Sequence, residues 1–194
     1  MKNLSEVRDG IIRAAEKHFS LLGFEKTTLD DICGENGKCK TSVYYHFKNK
    51  HDIFKSVIEK EFDDVRKDLE AVIHRKDISR LEEMRLYLRT RLSSLQRQGA
   101  FSHFASSRYA YGSNPVSRTV SEARGKFDQW ERNYLELNLR SGINDGSVPS
   151  TVSPEIFAST VMNILKAVEI QFFSSEDKQT VSETYNGIVE LIVR

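Results

Sequence analysis

The chain reads TTLDDICGENGKCKTSVYYHFKNK over residues 27–50, and this stretch decides the fold. Thr28 can cap a helix, and Asp31 stands three positions later, where a capping box places its acid. The pair Asn36-Gly37 supplies the left-handed backbone of a tight turn. A second short helix follows, at about residues 40–46. Two helices joined in this way predict a helix-turn-helix.

A helix-turn-helix reads DNA by placing its second helix in a major groove ~12 Å wide. Cys33 is small enough for close helix packing, and Ile32 and Val43 are expected to fill the core between the helices. Lysine, hydroxyl and phenol groups on the outer face can reach base edges and phosphates. For the lysines, a solvated surface is the alternative. The predicted DNA contacts are Thr28, Lys38, Lys40, Thr41, Ser42, Tyr44, Tyr45, His46 and Lys50.

The total charge of the chain does not point to a polyanionic partner, but the distribution of the charges does. The whole chain has a formal net charge of +1. Residues 36–51, however, contain four lysines, two histidines and no carboxylate. A local electropositive surface of this kind favours binding to nucleic acid.

Four segments of the first 65 residues together resemble the N-terminal domain of TetR-family (tetracycline-repressor-like, TetR/AcrR) regulators. They are Ala14-Ala15-Glu16-Lys17-His18-Phe19, Gly23-Phe24, Thr27 to Ile32, and Ser42 to Lys50. Lys38, Cys39 and Thr41 depart from the residues common in the family. The resemblance implies a repressor whose larger domain binds a small effector and dimerises through its last two helices.

Beyond residue 50, apolar residues recur at spacings of three and four, as in amphipathic helices. We expect an all-α protein of about nine helices. A three-helix DNA-binding domain is predicted over residues 1–50, and an effector-binding and dimerisation domain over residues 51–194. The fourth helix is expected to couple them. Helix starts are predicted at Asn49, Ser79, Asn114-Pro115 and Ser153-Pro154, and a helix end at Gly142.

The last two helices, at about residues 154–173 and 175–193, have more apolar width than one inward face needs. A two-fold four-helix interface would bury the surplus. The chain is therefore expected to form a homodimer. The predicted interface consists of Ile156, Val161, Leu165, Val168, Phe172, Val181, Tyr185, Ile188 and Ile192.

Aromatic and polar side chains in the second half are candidates for an effector pocket, since such pockets are mostly apolar with a few polar anchors. Aromatic residues at helical spacing more often belong to an ordinary core, which is the alternative. The predicted effector is a small apolar or aromatic molecule. Its candidate contacts are Phe101, His103, Phe104, Arg108, Tyr109, Tyr134 and Met162.

Cys33 and Cys39 are the only cysteines, so the sequence predicts no disulfide framework. No cysteine or histidine pair has zinc-ligand spacing, and neither a metal nor another cofactor is expected. Cys39, between Lys38 and Lys40, favours thiolate formation and suggests a redox-sensitive contact. Its alternative role is that of a serine-like helix cap.

The sequence shows no pattern typical of a membrane protein, a secreted protein or an enzyme. No apolar run approaches the ~20 residues of a membrane helix, and no secretory signal opens the chain, so a cytoplasmic protein is expected. P-loop, G-x-S-x-G and G-x-G-x-x-G motifs are missing, which argues against an enzyme. We interpret the sequence as that of a repressor that its effector releases from a palindromic operator. An enzyme and a helical adaptor without DNA affinity are the alternatives.

Overall fold

The computed structural model describes residues 4–37, 40–75, 77–107, 110, 112–148 and 151–193. Over these residues the chain forms nine helices and no strand, as the sequence predicts. The helices are α1 Leu4–Lys26, α2 Leu29–Asn36, α3 Lys40–His46, α4 Lys50–Ile73, α5 Arg80–Arg97, α6 Gly99–Ala105, α7 Pro115–Asn144, α8 Pro154–Ser174 and α9 Lys178–Ile192.

Helix α1 is interrupted at Gly23. Gly23 has φ 74° and ψ 174°, a conformation that side chains with a Cβ rarely adopt. A Cβ at this position would also lie 2.3 Å from Cε1 of His103. The Thr27 hydroxyl donates to the Gly23 carbonyl at 2.8 Å, and the chain then turns into α2.

The predicted capping box at the start of α2 is confirmed. The Thr28 hydroxyl accepts from the Asp31 N–H at 3.2 Å, and the Asp31 carboxylate accepts from the Thr28 N–H at 2.8 Å. Hydrogen bonds from Thr28, its side chain first, hold the pKa of Asp31 below its ordinary value. Helix α2 ends at Gly37, whose φ of 62° is left-handed. Local chemistry thus fixes both ends of the first helix of the motif.

The chain packs as two compact units. Unit 1 contains the residues up to Val65 together with Ser94–Arg124, and unit 2 contains Arg66–Ser93 and the residues from Gly125 onward. Helices α4, α5 and α7 each contribute residues to both units. The predicted boundary after residue 50 is a functional one, between residues that bind DNA and residues that bind an effector. It stays a prediction.

A buried carboxylate anchors α6 inside unit 1. Glu61 is 1% exposed and accepts the backbone N–H groups of Ala100 at 2.8 Å and of Phe101 at 2.7 Å. Burial raises the pKa of Glu61 to about 7, although the two hydrogen bonds favour its ionised form. Helix α6 begins at Gly99, and Glu61 satisfies two of the amides of its first turn.

Unit 2 contains a buried ionic cluster among its core side chains. The Arg91 guanidinium donates from Nε to Oε1 of Glu131 at 2.6 Å and from Nη1 to Oε2 of Glu169 at 3.2 Å. The Tyr87 hydroxyl also donates to Glu131, at 3.1 Å. None of the four side chains is more than 3% exposed. Ions as deeply buried as these are stable only when they are paired.

Two predicted boundaries differ in the structure. Helix α7 does not end at Gly142 but continues to Asn144. Gly142 is needed for close packing instead, since a Cβ there would lie 2.7 Å from Cγ2 of Val148. Helix α9 begins after Asp177, which caps it by accepting the Thr180 N–H at 3.0 Å, and not near Ser175.

Helix α8 is long and apolar enough, by length and composition alone, to cross a membrane. Its most apolar 18-residue window has a mean hydropathy of 1.3, more than the sequence analysis allowed for. Eight of its residues are nevertheless buried within unit 2, and one of them is the ionic Glu169. Helix α8 is thus packed as a core helix.

Candidate nucleic-acid interface

Helix α3 buries one face and presents the other to solvent. Val43 is 1% exposed, and Phe47, directly after the helix, is 4% exposed. Ile32 of α2 is fully buried, as expected for the core of the motif. Tyr44 and Tyr45, by contrast, are 53% and 72% exposed. The apolar residues therefore hold α3 in place while two phenols project from it.

The first turn of α3 carries an amine and two hydroxyl groups. Lys40 Nζ lies 2.8 Å from Oδ1 of Asp30, and this hydrogen bond raises the pKa of Lys40. The Lys40 side chain is still 52% exposed. Thr41 is exposed and Ser42 is half-buried. An exposed ion pair of this kind is weak, so a phosphate or a base edge can take the place of Asp30.

The last turn of α3 carries the aromatic part of the predicted surface. The rings of Tyr45 and His46 meet edge to face, with centroids 5.1 Å apart. His46 is half-buried, and Tyr44 precedes it on the open side. Phenol hydroxyls that project from a helix can donate to phosphate oxygens.

The amine of Lys50 makes hydrogen bonds within the protein. Its Nζ donates to the carbonyl oxygens of Phe24 at 2.8 Å and of Thr27 at 3.0 Å, and it also lies 4.3 Å from the centroid of the Phe24 ring. The ammonium group thus links the start of α4 to the carbonyls at the end of α1. The phosphate contact expected of Lys50 stays a prediction.

Thr28 uses its hydroxyl within the protein, where it bonds to Asp31 in the capping box, and the residue remains exposed. Lys38 and Cys39 lie outside the described residues. The redox hypothesis for Cys39 therefore stays a prediction.

Arg8 is a candidate DNA contact that the sequence analysis missed. It lies on α1, is exposed, and donates from Nη2 to Oγ of Ser56 at 3.0 Å. Its guanidinium carbon lies 5.0 Å from the centroid of the Phe47 ring, just beyond α3. Arg8 is 39 positions from Phe47 and outside the lysine-rich run, so no sequence signal connects it with α3.

The candidate effector contacts are divided between the two compact units. Phe101, His103 and Phe104 belong to unit 1, where Phe101 is buried and the other two are half-buried. Tyr134 and Met162 belong to unit 2; Tyr134 is half-buried and Met162 is 1% exposed. Arg108 and Tyr109 lie outside the described residues. Which of these residues bind an effector stays a prediction.

Most side chains predicted for the dimer interface are packed inside unit 2. Those at most 9% exposed are Val161, Leu165, Val168, Phe172, Val181 and Tyr185. Ile188 and Ile192 are half-buried, and Ile156 is 62% exposed. Helices α8 and α9 also expose Ile170 (55%) and Leu191 (69%). The apolar surface available to a partner therefore includes residues that the sequence analysis did not select.

No group of three or more histidine, cysteine, aspartate or glutamate side chains in the described ranges is arranged to hold a metal ion.

Residues 11–57 match the sequence profile described as bacterial regulatory proteins, tetR family. The HTH-type transcriptional repressor BepR of Brucella suis is 39% identical over 54 residues, which are 28% of this chain and 26% of BepR. The negative transcriptional regulator IcaR of the biofilm operon icaADBC, from Staphylococcus epidermidis, is 41% identical over 56 residues, 29% of this chain and 30% of IcaR. The chain thus matches less than a third of the length of either relative.

Solved structures match over nearly the whole chain. A transcriptional regulator from Cytophaga hutchinsonii has a TM-score of 0.78 at 22% identity, covering 95% of each chain. The regulator FadR of Bacillus subtilis, solved with stearoyl-CoA, has a TM-score of 0.71 at 17% identity, covering 95% of this chain and 97% of FadR. Identities this low establish likeness of fold alone. Residues 11–57 thus match the tetR family of bacterial regulatory proteins, and the chain as a whole has the fold of solved transcriptional regulators.

Proposed function

We propose that the protein is a sequence-specific DNA-binding transcriptional regulator in the cytoplasm, a repressor released from a palindromic operator by a small apolar or aromatic effector. The observation that carries this proposal is the exposed face of α3. Buried Val43 holds the helix in place, while Tyr44, Tyr45 and Thr41 face solvent beside Lys40.

The size and chemistry of α3 fit a major groove. Seven residues at 1.5 Å each give a helix about 10 Å long, which can enter a groove ~12 Å wide. Lys40 can donate to guanine O6 and N7, while Thr41 and Ser42 can bond to base edges or contact a thymine methyl group. Tyr44, Tyr45 and His46 can bond to phosphates, and Arg8 adds a cation beside them.

A homodimer would present two copies of α3 to two half-sites, which multiplies affinity and makes the operator a palindrome. The exposed faces of α8 and α9 support this arrangement. Each carries uncharged exposed residues at helical spacing. They are Ile156, Thr160, Asn163, Ala167 and Ile170 on α8, and Thr180, Thr184, Gly187 and Leu191 on α9.

Repression rather than activation is supported by the names of the relatives, since BepR is a repressor and IcaR a negative regulator. An effector is supported by the solved complex of FadR with stearoyl-CoA. An effector that binds one arrangement of the chain better than another would shift the population bound to DNA. Phe101, His103, Phe104, Tyr134 and Met162 stay candidates for that role.

Selection of bound duplexes from random DNA tests the proposal. We expect a palindrome, bound with an affinity that falls steeply as salt rises. The variant T41A/Y44A should lose the selected sequence while retaining its melting temperature, because both side chains are exposed. An enzyme or an adaptor built on this fold would select no sequence, and that outcome would refute the proposal.

A further inference from the structure

Unit 2 contains a cavity of about 290 Å³ where the ends of four helices and a loop meet. Its walls are mainly aliphatic, with one aromatic ring. The apolar residues that define it are Leu81, Met84, Leu139, Val148, Phe157 and Ile192. Close-packed protein interiors contain few voids larger than a water molecule. A cavity near the ~300 Å³ lower bound of small-molecule pockets is thus large enough to bind a ligand.

The charge at the cavity wall is already neutralised. Arg80 lines the cavity and donates from Nη2 to Oδ2 of Asp145 at 2.6 Å and to Oγ of Ser141 at 3.2 Å, and from Nη1 to the Asn138 carbonyl at 3.3 Å. Hydrogen bonds from Ser147, followed by that from Arg80, lower the pKa of Asp145 to about 2, so this carboxylate is ionised. The guanidinium charge is therefore already compensated by a carboxylate of the protein.

One wall of the cavity is fixed by Gly142. The Val148 N–H donates to the Gly142 carbonyl at 3.0 Å, which returns the chain against the end of α7. A Cβ at Gly142 would lie 2.7 Å from Cγ2 of Val148 and 3.1 Å from Cδ of Arg80. The cavity is thus bounded by residues in close contact with one another.

We propose that this cavity binds an uncharged, mainly aliphatic small molecule and is the effector site of the protein. It takes the place of the candidate contacts expected from the sequence; of those that the structure describes, none lines it. The inference rests on the proposed function, to which it adds a location and a ligand class. Phe157 and Ile192 line the cavity, and their chain neighbours Ile156 and Leu191 are exposed on α8 and α9. A ligand in the cavity therefore acts on the two helices through which we propose dimerisation.

The test uses two probes of equal chain length, 1-octanol and octanoate, which differ in charge. We expect 1-octanol to bind the full-length protein, to raise its melting temperature and to weaken retention of the selected operator. Octanoate should bind at least about tenfold more weakly, because its carboxylate would enter an apolar site without a counter-ion. Titration calorimetry and thermal melting measure both effects.

Two variants that fill the cavity locate the site. Val152 and Thr151 line its rim and are exposed, so a large ring at either position can occupy the opening without disturbing the core. V152W and T151W should each lower the affinity for 1-octanol by about tenfold or more, which corresponds to ~1.4 kcal/mol. L137W is the control, because Leu137 is 66% exposed and does not line the cavity.

The outcomes separate this inference from the proposed function. Undiminished binding of 1-octanol by both folded rim variants would overturn the location, and equal binding of octanoate would overturn the ligand class. If the protein bound its operator normally but had no affinity for 1-octanol, the inference about the cavity would be overturned and the proposed function would stand. Failure to select any DNA sequence would refute the regulator, whatever the cavity binds.

Discussion

Arg91 donates from Nε to Oε1 of Glu131 across 2.6 Å, and both side chains are completely buried. Replacing Arg91 by Met should lower the free energy of unfolding by about 3–5 kcal/mol, because it leaves two buried carboxylates without their cation. R91M/E131L should recover part of this loss. Urea unfolding measures each value.

Arg140 provides the matched control for Arg91. It pairs with Glu155 at 2.6 Å, but both side chains are more than half exposed. R140M should therefore leave the stability nearly unchanged. Equal stabilities of R91M and R140M would contradict the role given to the buried cluster.

Glu61 should make the stability of the protein depend on pH. Its pKa is raised in the folded chain from the ordinary 4.5 to about 7, so between these pH values the folded state retains a proton that the unfolded state has lost. Stability from this group is complete below about pH 4.5 and is lost as the pH rises through 7, by at most about 3 kcal/mol. Glu16 raises and Lys60 lowers the pKa, and both lie near Glu61.

The variant E61Q tests this dependence, because it is neutral at every pH and can still accept one backbone N–H. Urea unfolding of E61Q from pH 5 to pH 8 should give a smaller fall in stability than that of the wild type. Parallel curves for the two proteins would show that Glu61 does not titrate in this range.

Lys50 and Lys40 should behave in opposite ways when each is replaced by Met. K50M removes a donor from the part-buried carbonyls at the end of α1 and should cost about 1 kcal/mol of stability. K40M removes an exposed ion pair and should leave stability nearly unchanged. In operator binding, K40M should reduce the salt slope by about one, and K50M should not. If K50M also reduced the salt dependence of operator affinity, Lys50 would contact a phosphate, as predicted from the sequence.

Gly187 and Gly125 form a matched pair for the proposed dimer. Both are exposed, lie within helices, and have nothing within 4 Å of a Cβ added to either. Glutamate at either position should raise helix stability by up to about 1 kcal/mol. Only G187E puts a charge on the proposed interface, and it should weaken dimerisation by at least about tenfold, as measured by sedimentation. If G187E dimerised as well as G125E, the interface would have to lie elsewhere.

The sequence predicted features set by neighbouring residues better than those set by distant ones. The caps at Thr28 and Ser153 and the turn at Gly37 depend on groups within three positions of each other, and all are present. The inward role of Lys50 depends on carbonyls 23 and 26 positions earlier, so Lys50 could not be distinguished from the lysines around it.

The buried ions were missed for a related reason. Charged residues are usually exposed, and nothing in the sequence around Arg91 distinguishes it from an exposed arginine. Glu169 did offer a signal, since it stands alone in the uncharged run Ala167 to Phe173. Gly142 was taken for a helix end, because its actual neighbour, Val148, is reached only after the chain turns back.

The close approach of His103 to Gly23 limits which chimeras of this protein can fold. Exchanging only residues 1–50 with a relative would set a foreign residue 23 against this imidazole, or this glycine against a foreign side chain. Glu61 and α6, which are joined by hydrogen bonds, would then come from one parent and residues 1–50 from the other. Recombinants should therefore inherit residues 1–65 and 94–124 from the same parent.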